Sequence, residues 1–554
     1  MSRTLNSRST LDTLKTEAKR WLKALRAGEP QARRRLAAVM PDMPAAPALR
    51  DVQFALAREH GLPGWAALRQ ALDDLAMARR SAAERADIML RSAWGGDLAA
   101  ARRILARWPE TGSHDLYTAV ATGQVELVRR HLDAAPAAAT AKGGPLDWEP
   151  LLYLAYARLP GAEGQGGAIA TLLLDRGADA TARFDDGWGN AFTVLTGVIG
   201  EGEGDRAPHP EAMALAQLLV ERGADPFDTQ ALYNTSITRD DTRWLDFLWS
   251  RSVARGRDAA WRTVGEKPAI GGRVACNALD YLLGNAVAFD HPARAAWLLD
   301  RGADAAGVHA YSGRRLHEEA LTHGHVAMAA LLERHGAPVV PLAPDAAFAA
   351  ACMRLDRAEA ASLAAARPDV LGRAEVMGNA CRLGRADIVA LLLDLGMAVD
   401  VADDTGVRGL HHAAGNGAVE VVRLLIAHGA DIDRPTLHYG GPMGFAAHFR
   451  QREVAALLAP LSRDVPHLVA LGQTARLADL FAVEPELVDA PDPKFGTRPL
   501  FALPDDEDEA AAMAEFLLAH GADPKVRDDQ GRTPADAARQ RGLLDAADLL
   551  TPEG

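Results

Sequence analysis

The stretch that decides the fold runs from residue 403 to residue 433 and reads DDTGVRGLHHAAGNGAVEVVRLLIAHGADID. Leu410 and two small residues three and four positions later share one helical face, which predicts a short helix over residues 408–416. Apolar residues form a wide face over residues 419–427 and predict a second helix there. Gly429 is suited to the left-handed conformation that ends such a helix.

Each predicted helix is too short to be stable alone in water, so its apolar face must pack on neighbouring helix pairs. The stretch resembles one complete ankyrin repeat. Leu410, His411 and Ala413 match the family's Thr-Pro-Leu-His-x-Ala motif, whereas Arg408 and Gly409 replace its Thr and Pro. The resemblance implies an all-α ankyrin-repeat solenoid of stacked helix-turn-helix units. It also implies a non-catalytic scaffold that binds a protein partner through its concave face and turn tips.

Turns of the type Gly-Ala-Asp recur along most of the chain and mark the register of the repeats. Gly302 and Gly336 are about 34 residues apart, and Gly396 and Gly429 about 33, close to the ankyrin period. This spacing predicts about thirteen units.

The domain organisation follows from this register. We expect a basic helical leader at residues 1–80, a repeat array at residues 81–530 and a C-terminal capping unit at residues 531–554. Two intervals between turns are too long for whole repeats, which predicts insertions near residues 200–210 and 255–274.

The leader, residues 1–80, carries an excess of basic side chains and no repeat signature. Its helices present apolar faces that include Trp21 and Trp65, so we expect it to dock as an N-terminal cap on the segment 88–108. The alternative is an independent basic arm on a flexible tether. Its phrase LRDVQFALAREHGLPGW, residues 49–65, resembles a leader of some bacterial ankyrin-repeat proteins. The composition, rich in Ala, Arg and Asp, also favours a bacterial source.

Charge and cysteine usage restrict the partners. The net charge is -13 and the array is the acidic part, which argues against nucleic acid as a ligand. No apolar run has the length of a membrane span, and the N-terminus lacks a secretory apolar region. Cys276, Cys352 and Cys381 form no Cys-x-x-Cys pair, which fits a reducing compartment. We expect a cytoplasmic monomer that binds neither nucleic acid nor membrane.

Catalytic and metal-binding motifs are absent from the sequence, so we expect no enzyme activity, no cofactor and no metal. The alternative for a metal is a cluster of His317, His323 and His325, but no cysteine or carboxylate follows at a diagnostic spacing. In ankyrin repeats such histidines bind the backbone. The acidic run at residues 505–509 is interpreted as a loop and the first turn of the helix over residues 510–520, with a calcium site as the weaker alternative.

Aromatic residues at turn tips are the candidate contacts with a partner, because binding energy concentrates in such side chains. These candidates are Trp148, Phe184, Trp188 and Tyr311. The alternative for each is packing between neighbouring turns. Two further functions remain open: a secreted effector that acts on a host protein, and a dedicated inhibitor or antidote that masks one enzyme. The identity of the partner is not predicted.

Overall fold

The computed structural model describes residues 5, 11–41, 47, 49–159, 164–185, 190–202, 206–264, 274–492 and 494–551. The chain divides into two compact units. The composite unit joins residues 1–75 to residues 343–554, and the central unit holds residues 76–342. Both units are built from short helices.

The leader forms four helices: α1 (Leu11–Arg26), α2 (Pro30–Val39), α3 (Leu49–Glu59) and α4 (Trp65–Arg79). The helices that follow, up to residue 342, are α5 (Ala82–Trp94), α6 (Leu98–Arg107), α7 (Leu116–Ala121), α8 (Val125–Ala134), α9 (Pro150–Tyr156), α10 (Gly166–Asp175), α11 (Val194–Ile199), α12 (Ala212–Glu221), α13 (Thr229–Thr235), α14 (Arg243–Ala254), α15 (Ala278–Ala288), α16 (Pro292–Leu299), α17 (Leu316–Thr322) and α18 (Val326–Arg334).

The helices after residue 342 are α19 (Pro344–Met353), α20 (Arg357–Ala366), α21 (Ala374–Arg382), α22 (Ala386–Asp394), α23 (Gly409–Gly415), α24 (Val419–Ala427), α25 (Pro442–His448), α26 (Arg452–Leu458), α27 (Val465–Ala470), α28 (Thr474–Val483), α29 (Glu507–Ala519), α30 (Pro534–Gln540) and α31 (Leu544–Leu549). Short 3-10 helices lie at Pro109–Ser113, Pro136–Ala139, Asp258–Arg262, Pro368–Gly372, Pro485–Val488 and Pro499–Phe501. In the central unit, β1 (Arg183–Asp185) pairs antiparallel with β2 (Ala191–Thr193).

The stretch at residues 403–433 folds as predicted, with α23 and α24 as its two helices. The first helices of successive repeats pack on one another, α21 on α23 and α23 on α25, and the second helices do the same, α22 on α24 and α24 on α26. Leu410 and Leu425 are fully buried between these layers. Gly429 has a φ of 82° and ends α24, where the N–H of Ala430 bonds to the carbonyl of Leu425. The predicted all-α repeat fold is confirmed.

The first helix of this repeat lacks the Thr-Pro start of the family motif, and a histidine ring supplies part of what is missing. The backbone N–H of Arg408 donates to Nδ1 of His411 at 3.2 Å, and Nε2 of His411 donates to the carbonyl of Arg434 at 2.9 Å. The last repeat keeps the motif, and Thr533 and Asp536 form a reciprocal capping box there. His411 therefore joins the start of α23 to the turn that follows α24.

The leader packs on the last repeat. Lys15 on α1 forms a buried ion pair with Asp545 on α31, at 2.8 Å, and lies 3.6 Å from Glu507 on α29. The indole N–H of Trp65 on α4 donates to Asp545 at 3.2 Å. Leu549 packs against the apolar core that the leader helices share.

These contacts lie at the opposite end of the sequence from the segment 88–108, the docking site that we expected. A stack of repeats leaves an apolar face open at each end, so the sequence argument applies to both ends equally. The buried carboxylates of Asp545 and Glu507 are complementary to Lys15 and distinguish the C-terminal end. The division at residue 80 and the count of about thirteen repeats stay predictions. Of the predicted insertions, residues 203–205 and 265–273 lie outside the described residues.

Candidate partner-binding groove

A groove of 710 Å³ lies in the composite unit, between the turn at residues 436–439, the turn at residues 492–497 and the short helix α25. Aromatic rings, imidazole rings and one carboxylate line it. The lining residues, hereafter the aromatic groove, are His438, Tyr439, Gly440, Gly444, Phe445, His448, Phe449, Pro466, His467, Ala470, Asp492, Phe495, Thr497 and Ala502. A second depression of 290 Å³ continues from it and shares His467, Asp492 and Phe495.

The first turn, residues 436–439, is closed by hydrogen bonds and presents Tyr439 to the groove. The hydroxyl of Thr436 accepts the N–H of Tyr439 at 2.7 Å and donates to its carbonyl at 2.9 Å. The turn is also held from both sides: the N–H of Leu437 donates to the carbonyl of Thr405 at 2.7 Å, and the carbonyl of Leu437 accepts from Nζ of Lys494. The position of Tyr439 is therefore set by the two neighbouring turns.

The second turn, residues 492–497, presents Phe495 from the opposite side. Oδ1 of Asp492 accepts the backbone N–H groups of Lys494 and Phe495 at 2.9 and 2.6 Å. The N–H of Asp492 donates to the carbonyl of Thr497 at 2.8 Å and closes the base of the turn. This turn is built around a carboxylate whose other oxygen, Oδ2, accepts neither of these bonds.

Helix α25 supplies the wall between the two turns. Phe445 lies within the helix and Phe449 follows its last residue. The ring centroids of Phe445 and Tyr439 are 6.1 Å apart, at an interplanar angle of 82°. Both phenylalanines lie over Gly415 of α23, where an added Cβ would fall 3.2 Å from Phe449. The absence of a side chain at Gly415 thus allows the two rings to lie close to the preceding repeat.

His467 forms the floor of the groove. An added Cβ on Gly444 would meet its ring at 3.0 Å, so the glycine allows the imidazole to lie directly on α25. Nδ1 of His467 bonds to Oδ2 of Asp464 at 2.8 Å. Burial lowers the pKa of His467, but the hydrogen bond and charge of Asp464, together with the charge of Asp492, outweigh it and raise the pKa above its ordinary value.

Three aromatic rings around the groove leave much of their surface in solvent. The exposed fractions are 63% for Tyr439, 55% for Phe449 and 49% for Phe495. Leu437, beside Tyr439, is also exposed. Single exposed apolar residues are ordinary, but several that surround one concave surface are typical of an interaction site. The groove therefore has the composition of a binding surface.

Two of the candidates from the sequence, Trp148 and Phe184, pack together in the central unit. Trp148 is only 7% exposed, and its ring stacks on Phe184 with centroids 4.4 Å apart. Trp94 contacts both rings edge-to-face, at 5.0 and 5.3 Å. This cluster joins β1 to neighbouring helices, which is the packing role kept as the alternative. A role in partner binding stays a prediction for both residues.

The other two candidates are Trp188 and Tyr311. Trp188 lies outside the described residues. Tyr311 lies at the tip of a turn in the central unit, is 44% exposed and shares a hydrogen bond of 2.6 Å with the hydroxyl of Tyr281. The structure does not bring Tyr311 to the Trp148–Phe184 cluster, and its contact with a partner also stays a prediction.

The aromatic groove was missed in the sequence, although a signal was present. Tyr439 and Phe495 each precede a glycine in a long turn, within the strings HYGG at residues 438–441 and KFGT at residues 494–497. The predicted contacts, Trp148, Phe184, Trp188 and Tyr311, lie in other predicted turns. These strings do not show that the two turns face the same helix, α25. That arrangement depends on hydrogen bonds between turns.

The histidines considered as metal ligands mostly bond to the backbone. Nδ1 of His323 donates to the carbonyl of Glu319 at 2.8 Å, and Nδ1 of His325 to the carbonyl of Val287 at 3.0 Å. His317 pairs with Glu333 at 2.8 Å. Within the described ranges, no group of three or more His, Cys, Asp or Glu side chains is arranged to hold a metal ion.

One trio resembles a nucleophile, a base and an acid, but its geometry is unsuitable. Ser312 Oγ lies 3.1 Å from Nδ1 of His309, and Glu319 lies 3.4 Å from the same nitrogen. A catalytic relay requires the nucleophile and the acid on different ring nitrogens. Elsewhere, burial raises the pKa of the Cys352 and Cys381 thiols to about 12, which keeps both protonated and unreactive.

Acidic side chains of the run at residues 505–509 hold the starts of two helices. Asp506 accepts the N–H groups of Asp508 and Glu509 and caps α29. Glu507 accepts the N–H groups of Leu544 and Asp545 at the start of α31. Two of these acids therefore hold helix starts in place.

Comparison with known families identifies the repeats. Residues 348–436 and 377–466 match the family model described as ankyrin repeats (3 copies). The matches span α19 to α26, which include the first turn and the helical wall of the aromatic groove, whereas Phe495 lies beyond them. No curated protein matches the chain. Across the part of the chain that the structure describes, no helix has both the length and the apolar character needed to cross a membrane.

Proposed function

We propose that this chain, which contains ankyrin repeats, is a non-catalytic interaction scaffold that binds an extended segment of a protein partner in the aromatic groove. Ankyrin repeats are in general protein–protein interaction modules. The observation that carries the proposal is the ring of exposed Tyr439, Phe449 and Phe495 around one 710 Å³ groove.

The energetics of binding favour this surface. Exposed aromatic rings lose water contacts when a partner covers them, and tyrosine is among the residues that contribute most at interfaces. The hydrogen bonds within and between the two turns hold Tyr439 and Phe495 in place before binding. Little conformational entropy is then lost on association, which improves affinity for a given area.

A binding role fits the groove better than a catalytic one. Its one acid–histidine pair, Asp464 and His467, is of the kind that activates a nucleophile. The described lining residues, however, include no serine or cysteine, and neither of their hydroxyl groups, on Tyr439 and Thr497, is hydrogen-bonded to His467. We therefore propose that Asp464 and His467 set the charge at the floor of the groove and take no part in a reaction.

We also propose that the protein acts as a monomer in the cytoplasm of a bacterium. Three free cysteines support a reducing compartment, and the composition supports the bacterial source. Tyr311 is proposed as a further contact, on the central unit, because it is exposed at a turn tip.

Comparative affinity capture tests the function. The wild-type chain, the double variant Tyr439→Ser/Phe449→Ser and the control Val483→Ser are immobilised and exposed to the same lysate of the source cells. Val483 is an exposed apolar residue on α28 outside the groove lining. We expect the wild type and the control to retain the same protein and the double variant to lose it. Equal retention by all three chains would refute the assignment, and matching melting curves establish that each chain is folded.

A further inference from the structure

We propose that the aromatic groove selects a lysine or arginine side chain of its partner, held against ring faces beside Asp492. This inference rests on the proposed function, since it names the chemistry of the partner at the same site. It commits to a basic segment, with acidic and purely apolar segments as outcomes of the test.

The aromatic lining suits a cation as well as an apolar group. The face of an aromatic ring carries partial negative charge and attracts an ammonium or guanidinium group within about 6 Å of the ring centre. Tyr439, Phe449 and Phe495 have exposed rings around one groove, so a side chain that enters meets more than one of them.

Contacts between a cation and an aromatic ring occur elsewhere in the same molecule. The guanidinium of Arg301 lies 3.7 Å from the ring centroid of Trp297, and that of Arg35 lies 3.8 Å from Trp21. These pairs are filled from within the chain, whereas none of the cation–ring contacts found among the described residues involves a ring of the aromatic groove. The groove thus offers ring faces to an external cation.

Asp492 supplies the carboxylate at the edge of these rings. Its Oδ1 is used by the backbone of its own turn, and Oδ2 accepts neither of those bonds. A carboxylate beside aromatic faces adds a direct charge attraction and a hydrogen-bond acceptor for Lys or Arg. An acidic partner side chain would meet repulsion at the same place.

The surrounding charges add up to a negative site. Arg463 is paired with Glu484 at 2.6 Å, and Nζ of Lys494 donates to the carbonyl of Leu437. His467 is bonded to Asp464. The acidic groups of the two joined depressions and of their ion pairs are Asp433, Asp464, Glu484 and Asp492. The basic groups are Arg463, Lys494 and, when protonated, His467. The carboxylates of this set therefore outnumber its cations in either state of His467. The other ionisable side chains of the lining are His438 and His448.

Peptide binding to the full chain tests the selectivity. Three fluorescein-labelled peptides, Gly-Ser-Leu-X-Leu-Ser-Gly with X as Arg, Leu or Glu, are titrated by fluorescence anisotropy at pH 8. We expect the Arg peptide to bind about tenfold more tightly than the Leu peptide, and the Glu peptide to bind most weakly. Asp492→Asn should remove the advantage of the Arg peptide and leave the Leu peptide unchanged. The matched control Asp404→Asn, an exposed acid outside the groove lining, should change neither.

The pH provides a second readout. As the pH rises through the raised pKa of His467, the floor loses a positive charge, so affinity for the Arg peptide should increase and that for the Leu peptide should not. His467→Gln should flatten this dependence, and His438 and His448, the other two histidines of the lining, are the same in both chains.

The outcomes separate this inference from the proposed function. If the Leu and Arg peptides bind equally and both need Phe449, the groove binds segments but the selectivity for a cation is wrong. A preference for the Glu peptide also overturns the inference. If no peptide binds at concentrations up to about 1 mM, the selectivity is again refuted, while the capture comparison above still decides whether the groove binds a protein.

Discussion

The Nζ atom of Lys15 lies 2.8 Å from Oδ1 of Asp545, and both side chains are almost fully buried. The pair joins the first helix of the chain to the last one. Oδ2 of the same carboxylate accepts the indole N–H of Trp65 and, at 3.4 Å, the side-chain amide of Gln53. Asp545 is therefore the point at which three leader helices meet the last repeat.

Replacement of Lys15 should destabilise this junction strongly. In Lys15→Met the carboxylates of Asp545 and Glu507 lose their buried counter-charge, and removal of one partner of a buried pair costs about 3–5 kcal/mol. Urea denaturation should show the loss, with faster hydrogen exchange in α29 and α31. In the double variant Lys15→Met/Asp545→Asn the amide oxygen still accepts from Trp65, so part of the stability should return.

The control for Lys15 is Lys19→Met. Lys19 lies 3.7 Å from Asp548, and both side chains are partly exposed, so this variant should lose less than about 1 kcal/mol. Salt should weaken the exposed pair more than the buried one, because buried charges are screened little. Equal losses in the two single variants would contradict the proposed importance of the buried pair.

Truncation in the core of the quoted repeat should act locally. Leu425 is fully buried between α24 and its neighbours, so Leu425→Ala should cost about 2–4 kcal/mol. Leu392→Ala, at the equivalent place on α22, should behave alike. Hydrogen exchange should accelerate in α22 to α26 only, since each repeat contacts its neighbours. Leu424→Ala, at a partly buried position of the same helix, is the milder control; uniform acceleration along the chain would be incompatible with a repeat array.

Acid should destabilise the repeat that contains His411. Burial lowers the pKa of His411 to about 4, and the charges of Arg408 and His412 lower it further. The ring accepts the N–H of Arg408 at Nδ1 and donates to the carbonyl of Arg434 from Nε2. Only the neutral ring can do both. Since the folded pKa lies below the ordinary value of about 6.5, the contribution to stability is complete above that pH. It is lost as the pH falls from about 6.5 through the folded pKa, by about 3 kcal/mol in total.

The variant His411→Gln tests this linkage. A glutamine side chain both donates and accepts without titrating in this range, so the variant should be less stable at pH 7 but lose less on acidification than the wild type. His209 and His412 also have pKa values lowered to about 4 and contribute in both chains. The control His428→Gln removes an exposed histidine and should keep the wild-type slope. An unchanged slope in His411→Gln would show that another group causes the acid sensitivity.

The helices of the quoted repeat could be predicted because they depend on the spacing of apolar residues close together in the sequence. The apolar spacing around Leu410 and Leu425 depends on the helical period alone, and both helices of that repeat occur where the period places them. The end of α24 follows from Gly429, because the left-handed conformation there favours glycine. The resemblance to the ankyrin motif predicted, in addition, that these helix pairs stack on one another.

Other features could not be predicted from the sequence because they depend on contacts between residues that are far apart in the chain. Trp148 is a turn residue by its sequence, but Trp94 and Phe184 cover it. The docking of the leader depends on Asp545, and nothing in the sequence around this residue distinguishes it from other acidic residues. The aromatic groove requires the turn that holds Tyr439 to bond with Thr405 and Lys494, which lie in other turns. Periodicity carries no information on such pairings.

The most direct test of the account is photo-cross-linking in the source cells. A photoreactive phenylalanine analogue replaces Phe449 in one variant, Phe495 in a second and the exposed Val483 in a third. We predict that the first two variants form a covalent adduct with the same protein on irradiation, and that the third does not. Adducts of equal yield at all three positions, or none at Phe449 and Phe495, would contradict the claim that the aromatic groove binds the partner.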